Sequence, residues 1–461
     1  MARATGKQAV LLIHGVGFQR PMRTLRGFVE AVWTTDSSLR RPYVPAQVWS
    51  KPDTIADSFE LRRLTTAQNT HGVRTDFFEF YWAHLLEGTT LQQVFLWLRS
   101  LLWRNPLRIP RPLLFAWVVV WLALLSIAAL AINVALPDTD RFWHFSPLLS
   151  ASISVLLLPV LVWLLREFVG DAAVYLDSAP ANIQSRHEIR SAGLRLLEVL
   201  HSRGYERIVI VGHSLGSVIG YDILRYAWAE MHDGFLGDAL QSIEALRAAE
   251  SLATRSSKWT VDDRNQWRKL QRRYLSELQA AGHVWRVTDF ITLGSPLTYA
   301  SYLMALNETD FERQIQEREL PTDPPVLERH VEHHVEDWRF SYNKVFTLDS
   351  GRTTTRQVPH HAAVFAPVVW TNLYFPCVGV FRGDIAAGPV GPELGVGVRD
   401  VKLHNDIRGG WLLHTHYWLP VSEPPPSHVE ELRLALNLNW GGTPNSLDVD
   451  TKGPAIARPE E

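Results

Sequence analysis

Short apolar runs rich in β-branched residues recur along this chain and predict buried strands. They lie at 9–13, 208–211, 288–297 and 368–375, and a looser aromatic run lies at 73–82. The runs at 9–13 and 208–211 are apolar throughout, which is typical of parallel strands that are covered on both faces. Apolar residues at helical spacing predict helices between and beyond these strands, at 25–33, 181–203, 217–228 and 429–436. Strands that alternate with helices predict an α/β fold, with a mostly parallel sheet and flanking helices.

Two longer uncharged runs interrupt this pattern and predict membrane-spanning helices. Neither 113–136 nor 147–165 contains Asp, Glu, Lys or Arg, and the polar link 137–146 separates them. At about 1.5 Å per residue, each run can cross a bilayer core of about 30 Å. The sequence therefore predicts a two-helix transmembrane hairpin, inserted into the α/β pattern. A buried helical hairpin or an apolar lid is the alternative.

The charges around these runs predict an orientation for the hairpin. Four arginines precede the first run, at Arg99, Arg104, Arg108 and Arg111. The link contains a single arginine, Arg141, which follows Asp138 and Asp140. Because positive residues collect on the cytoplasmic side of a membrane, both flanks of the hairpin are predicted to be cytoplasmic.

Composition narrows the function classes only slightly. The 461 residues carry a formal net charge of −2, which gives no reason to expect nucleic acid as a partner. Cys377 is the single cysteine, so an intramolecular disulfide and a multi-cysteine metal site are excluded. The 18 tryptophans suit membrane-interface anchoring or a large apolar binding surface.

The stretch with the most specific chemistry is Gly212-His213-Ser214-Leu215-Gly216, which follows the strand at 208–211. A G-x-S-x-G sequence between a strand and a helix is the context of a nucleophile elbow. The sharp turn exposes the Ser214 hydroxyl, while the two glycines let strand and helix approach each other. The helix N-terminus behind Ser214 places free N–H groups where an oxyanion would form.

A second glycine turn follows the first strand, at His14-Gly15-Val16-Gly17. The backbone N–H of Val16, together with that of Leu215, would form a two-donor oxyanion hole. With both motifs, the chain resembles the α/β-hydrolase fold and, within it, lipase-like and esterase-like serine hydrolases. That family carries His-Gly-x after its first strand and Gly-His-Ser-x-Gly at the elbow. The resemblance implies a Ser-His-Asp triad with Ser214 as the nucleophile.

The resemblance also points to the acid of the triad, which should follow a late strand. Asp384, in Gly-Asp-Ile-Ala-Ala-Gly-Pro, fits the lipase-like pattern of Asp, small apolar residues and Gly-Pro. It comes later after its strand than is usual in the family. Asp400 and Asp406 are therefore alternatives.

The base is expected within the segment 411–418, Trp-Leu-Leu-His-Thr-His-Tyr-Trp. Lipase-like relatives often show His-x-x-Tyr around the catalytic histidine, and His414 with Tyr417 matches that spacing. His416 is the alternative base, because it would share a strand face with His414.

Two other groups of residues invite chemical roles but fit them poorly. Ser295 lies in a Gly-Ser-Pro turn, yet Pro296 has no N–H to donate to an oxyanion. His330, His333 and His334 match neither H-E-x-x-H nor H-x-x-E-H, so a polar face or loop is predicted there. Neither a metal nor a cofactor is implied.

The chain is thus predicted to consist of four parts. Residues 1–98 are the first part of a hydrolase domain, and residues 99–170 are the transmembrane insertion. Residues 171–420 complete the domain, with polar helical excursions near 231–284 and 300–360, and residues 421–461 are a C-terminal tail. The function expected is a membrane-anchored serine hydrolase of carboxylic esters, with a lipid or another apolar ester as substrate. An acyltransferase or thioesterase with the same triad, or a non-catalytic membrane scaffold on this fold, is the alternative.

Overall fold

The computed structural model describes most of the chain outside the predicted insertion and the C-terminal end. The described residues are 6–17, 20–40, 43–55, 58–86, 97, 99, 101–135, 171–177, 179–233, 244–332, 335–347, 351–378, 382–404 and 413–441. They form an α/β architecture around one large, mostly parallel sheet.

The strands of the described residues form one large sheet and two small ones. In chain order they are β1 (Lys7–Ile13), β2 (Val48–Pro52), β3 (Arg62–Gln68), β4 (Arg74–Phe80), β5 (Arg207–His213), β6 (Val287–Leu293), β7 (Glu328–Glu332), β8 (Val335–Arg339), β9 (Ser341–Thr347), β10 (Thr353–Pro359), β11 (Val369–Tyr374) and β12 (Arg399–Lys402). The large sheet has the order β12-β11-β6-β5-β1-β4-β3-β2. It is parallel from β12 to β4, and β3 and β2 extend it as an antiparallel edge. The pairs β7–β8 and β9–β10 form the two small antiparallel sheets.

Helices cover both faces of the large sheet. In chain order they are α1 (Arg23–Val29), α2 (Arg111–Ala135), α3 (Ile183–Ser202), α4 (Leu215–Asp233), α5 (Glu244–Ala253), α6 (Val261–Ala280), α7 (Ala300–Leu303), α8 (Glu308–Gln316), α9 (Gly391–Leu394) and α10 (Ser427–Leu436). A π-helical stretch, Glu30–Thr34, extends α1.

The strand β1 shows why the central runs are apolar throughout. Successive side chains of a strand point to opposite faces. Leu11 and Ile13 belong to one buried core, which also contains residues of α3, α4, α5 and α6. Val10 and Leu12 belong to a second core, completed by residues of α1 and α10. Both faces of the strand are therefore buried, so its sequence does not alternate between polar and apolar residues.

The five predicted strands of the large sheet and the four predicted helices at 25–33, 181–203, 217–228 and 429–436 occur in the predicted order, with ends that differ by a few residues. The excursion near 300–360 was predicted to be helical, but among its described residues only α7 and α8 are helices. Its second half forms β7–β10, in which half-buried and exposed residues alternate, as in β9, and pair as antiparallel strands. The edge strands β2 and β3 were not predicted, because their residues are largely polar or half-exposed. The helix predicted at 429–436 is present as α10. Its Leu432 and Leu436 are fully buried, so this part of the predicted tail packs on the sheet.

No transmembrane hairpin is found among the described residues. The first run of the predicted hairpin forms α2, a helix of 25 residues. In the part of the chain that the structure describes, no helix combines the length and the apolarity that a membrane crossing requires. The link 137–146 and the second run, 147–165, lie outside the described residues.

Candidate active site

The residue between β5 and α4 is Ser214, which is held in a strained turn. Its φ is 54°, a left-handed conformation that residues other than glycine rarely adopt. Its N–H donates a hydrogen bond of 2.9 Å to the Leu293 carbonyl at the end of β6. The elbow geometry expected from the sequence is thus present, at the carboxyl ends of the parallel strands.

Glycines around the elbow are required by close packing. A Cβ on Gly212 would lie 2.5 Å from the Cα of Ser217, and one on Gly216 would overlap the carbonyl oxygens of Ile13 and His14. Gly15 faces the elbow from the other side, since its Cβ would lie 2.6 Å from that of Ser214. The two glycine motifs of the sequence therefore meet at Ser214.

His414 is the histidine that faces the serine. Its Nε2 lies 2.8 Å from the Ser214 Oγ, which is hydrogen-bonding distance. The segment 413–415 is a 3₁₀ turn and not the strand that the sequence suggested. His416 consequently does not share a face with His414, and its ring lies 3.4 Å from the Thr415 hydroxyl. The geometry favours His414 over His416 as the base.

Asp384 is the carboxylate that faces the same imidazole. Its Oδ1 and Oδ2 lie 3.0 and 2.9 Å from His414 Nδ1. The Tyr417 hydroxyl donates to Oδ2 over 2.7 Å, and the Ala386 N–H donates to Oδ1 over 2.9 Å. Burial alone would raise the pKa of Asp384, but the hydrogen bonds and charge of His414, with those from Tyr417 and Ala386, lower it overall. An ionised Asp384 favours a proton on Nδ1, which leaves Nε2 free to accept one from Ser214.

The position of Asp384 depends on two left-handed glycines. Gly383 has a φ of 90°, and a Cβ there would overlap the Pro376 carbonyl. Gly294, in the Gly-Ser-Pro turn after β6, has a φ of 61°, and its Cβ would lie 2.9 Å from Asp384 Oδ2. The close approach of the acid to the turn after β6 therefore requires glycine at 294.

The alternative residues lie elsewhere or have other partners. Asp400, in β12, accepts hydrogen bonds from Asn372 Nδ2 and from the N–H groups of Val390 and Gly391, at 2.7 to 2.8 Å. These bonds fix the sheet edge and the start of α9. Asp406 lies outside the described residues. Ser295 is fully buried, and its Oγ lies 2.6 Å from the Ser217 hydroxyl.

The two residues predicted as oxyanion donors lie close to Ser214. Leu215 follows it in the chain, and Val16 belongs to the glycine turn that packs against it. Leu215 is the first residue of α4, so its N–H has no partner within the helix. Val16 follows Gly15 in the turn that contacts Ser214. The next N–H, that of Gly17, lies 3.3 Å from an Asp171 carboxylate oxygen, to which it donates.

His14 holds the turn that contains Val16 through contacts with Trp82. Its ring stacks on Trp82 with a centroid distance of 5.0 Å, and Trp82 Nε1 donates to the His14 carbonyl over 2.9 Å. Burial lowers the pKa of His14 to about 4, so the ring is neutral at pH 7. A neutral, stacked imidazole is suited to holding a backbone turn in place.

His213 contributes an interaction that the sequence analysis did not predict. Its Nε2 lies 2.7 Å from the His414 carbonyl oxygen, and the two rings lie 5.1 Å apart. Burial first, and then the neighbouring His414, lower the pKa of His213 to about 3. The neutral ring therefore donates from Nε2 and ties the His414 turn to the elbow. The only sequence clue was its place in the Gly-His-Ser-x-Gly motif.

Among the described residues, no three His, Cys, Asp or Glu side chains are grouped so that they could hold a metal ion. His330 lies in β7, while His333 and His334 lie outside the described residues.

Comparisons with known proteins give no indication of the function. No protein-family model, no curated protein and no solved structure matches the chain significantly. A mostly parallel α/β sheet that carries a hydrogen-bonded Ser–His–Asp chain is thus the basis for any functional inference.

Proposed function

We propose that this chain is a serine hydrolase of the α/β-hydrolase fold, lipase-like or esterase-like, that cleaves carboxylic esters. The observation that carries the proposal is the unbroken hydrogen-bonded chain from the Ser214 hydroxyl through His414 to the buried Asp384. A serine, a histidine and a carboxylate linked in this order have one well-understood chemical use, which is nucleophilic acyl transfer.

The contacts suggest the following sequence of steps. Ser214 Oγ attacks the acyl carbonyl carbon as its proton passes to His414 Nε2, and Asp384 stabilises the imidazolium that forms. The N–H groups of Val16 and Leu215 bind the oxyanion. The alcohol departs with the proton from His414, leaving an acyl-Ser214 ester. Water then gives a proton to His414 as its oxygen attacks this ester. The bond between the acyl carbon and the Ser214 oxygen breaks, His414 returns the proton to that oxygen, and the acid departs.

Fluorophosphonate labelling tests the proposal directly. The Ser214 oxygen should displace fluoride from the phosphorus, and mass spectrometry of the labelled protein should place the adduct on Ser214. p-Nitrophenyl esters of increasing acyl length then measure turnover. A folded protein that is not labelled and hydrolyses no ester would contradict the proposed enzymatic function and favour a non-catalytic scaffold. Transfer of the acyl group to an added alcohol or thiol faster than to water would instead indicate an acyltransferase.

His213 provides a first prediction about this mechanism, as a positioning residue. Removing its hydrogen bond to the His414 carbonyl in His213→Ala should let the base shift, and a shift of about 1 Å can cost up to about 100-fold in rate. We expect kcat to fall at least about tenfold with little change in KM. His213→Gln, which keeps a side-chain donor, should recover part of kcat. An unchanged kcat in His213→Ala would refute the positioning role.

Membrane attachment through the segment 113–165 belongs to the same proposal. Both uncharged runs of the sequence support it. On α2, Leu122, Leu125 and Ile132 are 58%, 58% and 55% exposed, so apolar surface is available for lipid. An enzyme held at a bilayer would meet apolar esters at their source, which is the reason to propose a lipid-like substrate. The cytoplasmic orientation rests on the arginines that precede the first run.

Extraction and accessibility test this attachment. A chain that crosses the bilayer should stay in the membrane through salt and carbonate washes and require detergent. A tag inserted near Thr139 should be reached only from the outer compartment, and tags at the termini only from the cytoplasm. Release by carbonate would show that the segment is a lid or a core element. A link reached only from the cytoplasm would reverse the topology.

A further inference from the structure

A cavity of about 570 Å³ lies beside α4, away from the reacting groups. Helices α3 and α4, the segment 171–177 and the chain around α8 surround it. Ser214, Asp384 and His414 are not among its described lining residues. The lining includes four arginines, namely Arg186, Arg190, Arg225 and Arg318, against two acidic residues, Asp222 and Glu319. Arg318 also pairs over 2.6 Å with Glu328, which lies outside the lining, so the excess positive charge is concentrated around Arg186, Arg190 and Arg225.

The carboxylates of the cavity are already engaged. Asp222 is almost fully buried, and Arg190 Nε and Nη2 donate to its Oδ2 over 2.9 and 2.6 Å. Tyr175 donates to the same oxygen over 2.8 Å, and Arg225 lies 2.9 Å from the other oxygen. The Glu319 side chain lies 3.5 Å from Arg313, which is outside the lining. Neither carboxylate is left to neutralise a further cation.

Arg186 is the lining arginine that has no ion-pair partner among the described residues. Within the described residues, no carboxylate lies within ion-pair distance of its guanidinium, and its buried Nε has no hydrogen-bond partner. The side chain is half-buried beside Arg190. A cation that loses water and faces a like charge without a counterion destabilises the folded state. An anion in the cavity would remove this cost.

We propose that this cavity binds a phosphate group carried on a partly apolar molecule, with Arg186 as its principal ligand. Guanidinium groups donate paired hydrogen bonds that match the oxygens of phosphate. The positive charge that remains around Arg186, Arg190 and Arg225 suits an anion. The apolar part of the ligand would contact Leu176, Val218 and Leu320, and the volume exceeds that of phosphate alone. The inference stands independently of the proposed esterase.

Calorimetric titration of the full-length protein tests the site with three probes. Inorganic phosphate, glycerol phosphate and a short-chain lysophosphatidate below its micelle concentration separate a free phosphate from a lipid headgroup. Arg186→Gln should weaken the binding of each probe by about tenfold or more, because a charge-assisted hydrogen bond is lost. The matched control is Arg247→Gln, at an exposed position of α5 outside the lining, and it should bind as the wild type does.

Two further variants make the outcome decisive. Arg186→Lys keeps the charge without the planar fork and should bind with intermediate affinity. Ser214→Ala should bind all probes as the wild type does, so a failed esterase and a failed phosphate site are distinguishable. Without ligand, Arg186→Gln should melt at the wild-type temperature or above it. Absence of binding of every probe at millimolar concentration, or equal weakening in Arg186→Gln and Arg247→Gln, would overturn the proposal.

Discussion

Ser214→Ala should abolish fluorophosphonate labelling and reduce ester hydrolysis by about three to six orders of magnitude. The reason is geometric, because the Ser214 Oγ is the oxygen that lies 2.8 Å from His414 Nε2. Without it, only oxyanion stabilisation and substrate binding remain, and these leave a small residual rate in triad enzymes. The fold should survive, since alanine is smaller than serine and tolerates the tight elbow better than any larger residue.

Ser295→Ala is the matched control for this prediction. Ser295 also follows a strand and a glycine, but it is fully buried and caps the Leu297 N–H over 3.2 Å. Its loss should lower the melting temperature modestly and leave the labelling of Ser214 intact. Stopped assays with purified variants, with circular dichroism to verify folding, measure both effects. Full hydrolysis by Ser214→Ala would remove the proposed mechanism.

The sequence was most informative where chemistry and packing require the same residues. Gly212 and Gly216 are needed for the elbow to form, and the buried strand before Ser214 is apolar on both faces. These constraints are local, so they appear as a short motif beside a continuous apolar run. The position of Ser214 in the fold could therefore be predicted from the sequence.

The partners of Ser214 were harder to predict, because loops position them. The 3₁₀ turn at 413–415 decides whether His414 or His416 faces Ser214. Apolar periodicity in the sequence does not indicate such a turn. Asp384 reaches the histidine because two glycines, the adjacent Gly383 and the distant Gly294, adopt left-handed conformations. Tyr417 was noticed only for its spacing from His414, and its hydrogen bond to Asp384 became evident in three dimensions.

The edge of the sheet was missed for a related reason. Strands β2 and β3 pair antiparallel at a margin where one side faces solvent. Their half-exposed residues resemble those of a loop. The residues of central strands must be apolar, because both faces of those strands are covered. The hairpin prediction depends on the length of two apolar runs, and an apolar run alone does not separate a membrane span from an apolar helix of another kind.

Asp384→Asn and His414→Ala should each remove most of the activity, by about three to four orders of magnitude. In Asp384→Asn, the neutral amide no longer stabilises an imidazolium, and its NH₂ group favours the wrong tautomer of His414. In His414→Ala, no group remains to accept the Ser214 proton. Either change combined with Ser214→Ala should add little, since residues of a triad act as a unit and their effects are strongly non-additive.

The controls for these variants come from the alternatives that the sequence left open. His416→Ala should keep nearly full activity, because its ring contacts Thr415 and not Ser214. Asp400→Asn alters a carboxylate bound to Asn372 and to two backbone N–H groups, so it should change stability more than kcat. Single- and double-variant rates with one soluble ester measure the coupling. An inactive His416→Ala beside an active His414→Ala would move the base by two residues. Additive losses in the double variants would show that Ser214, His414 and Asp384 do not act as one catalytic unit.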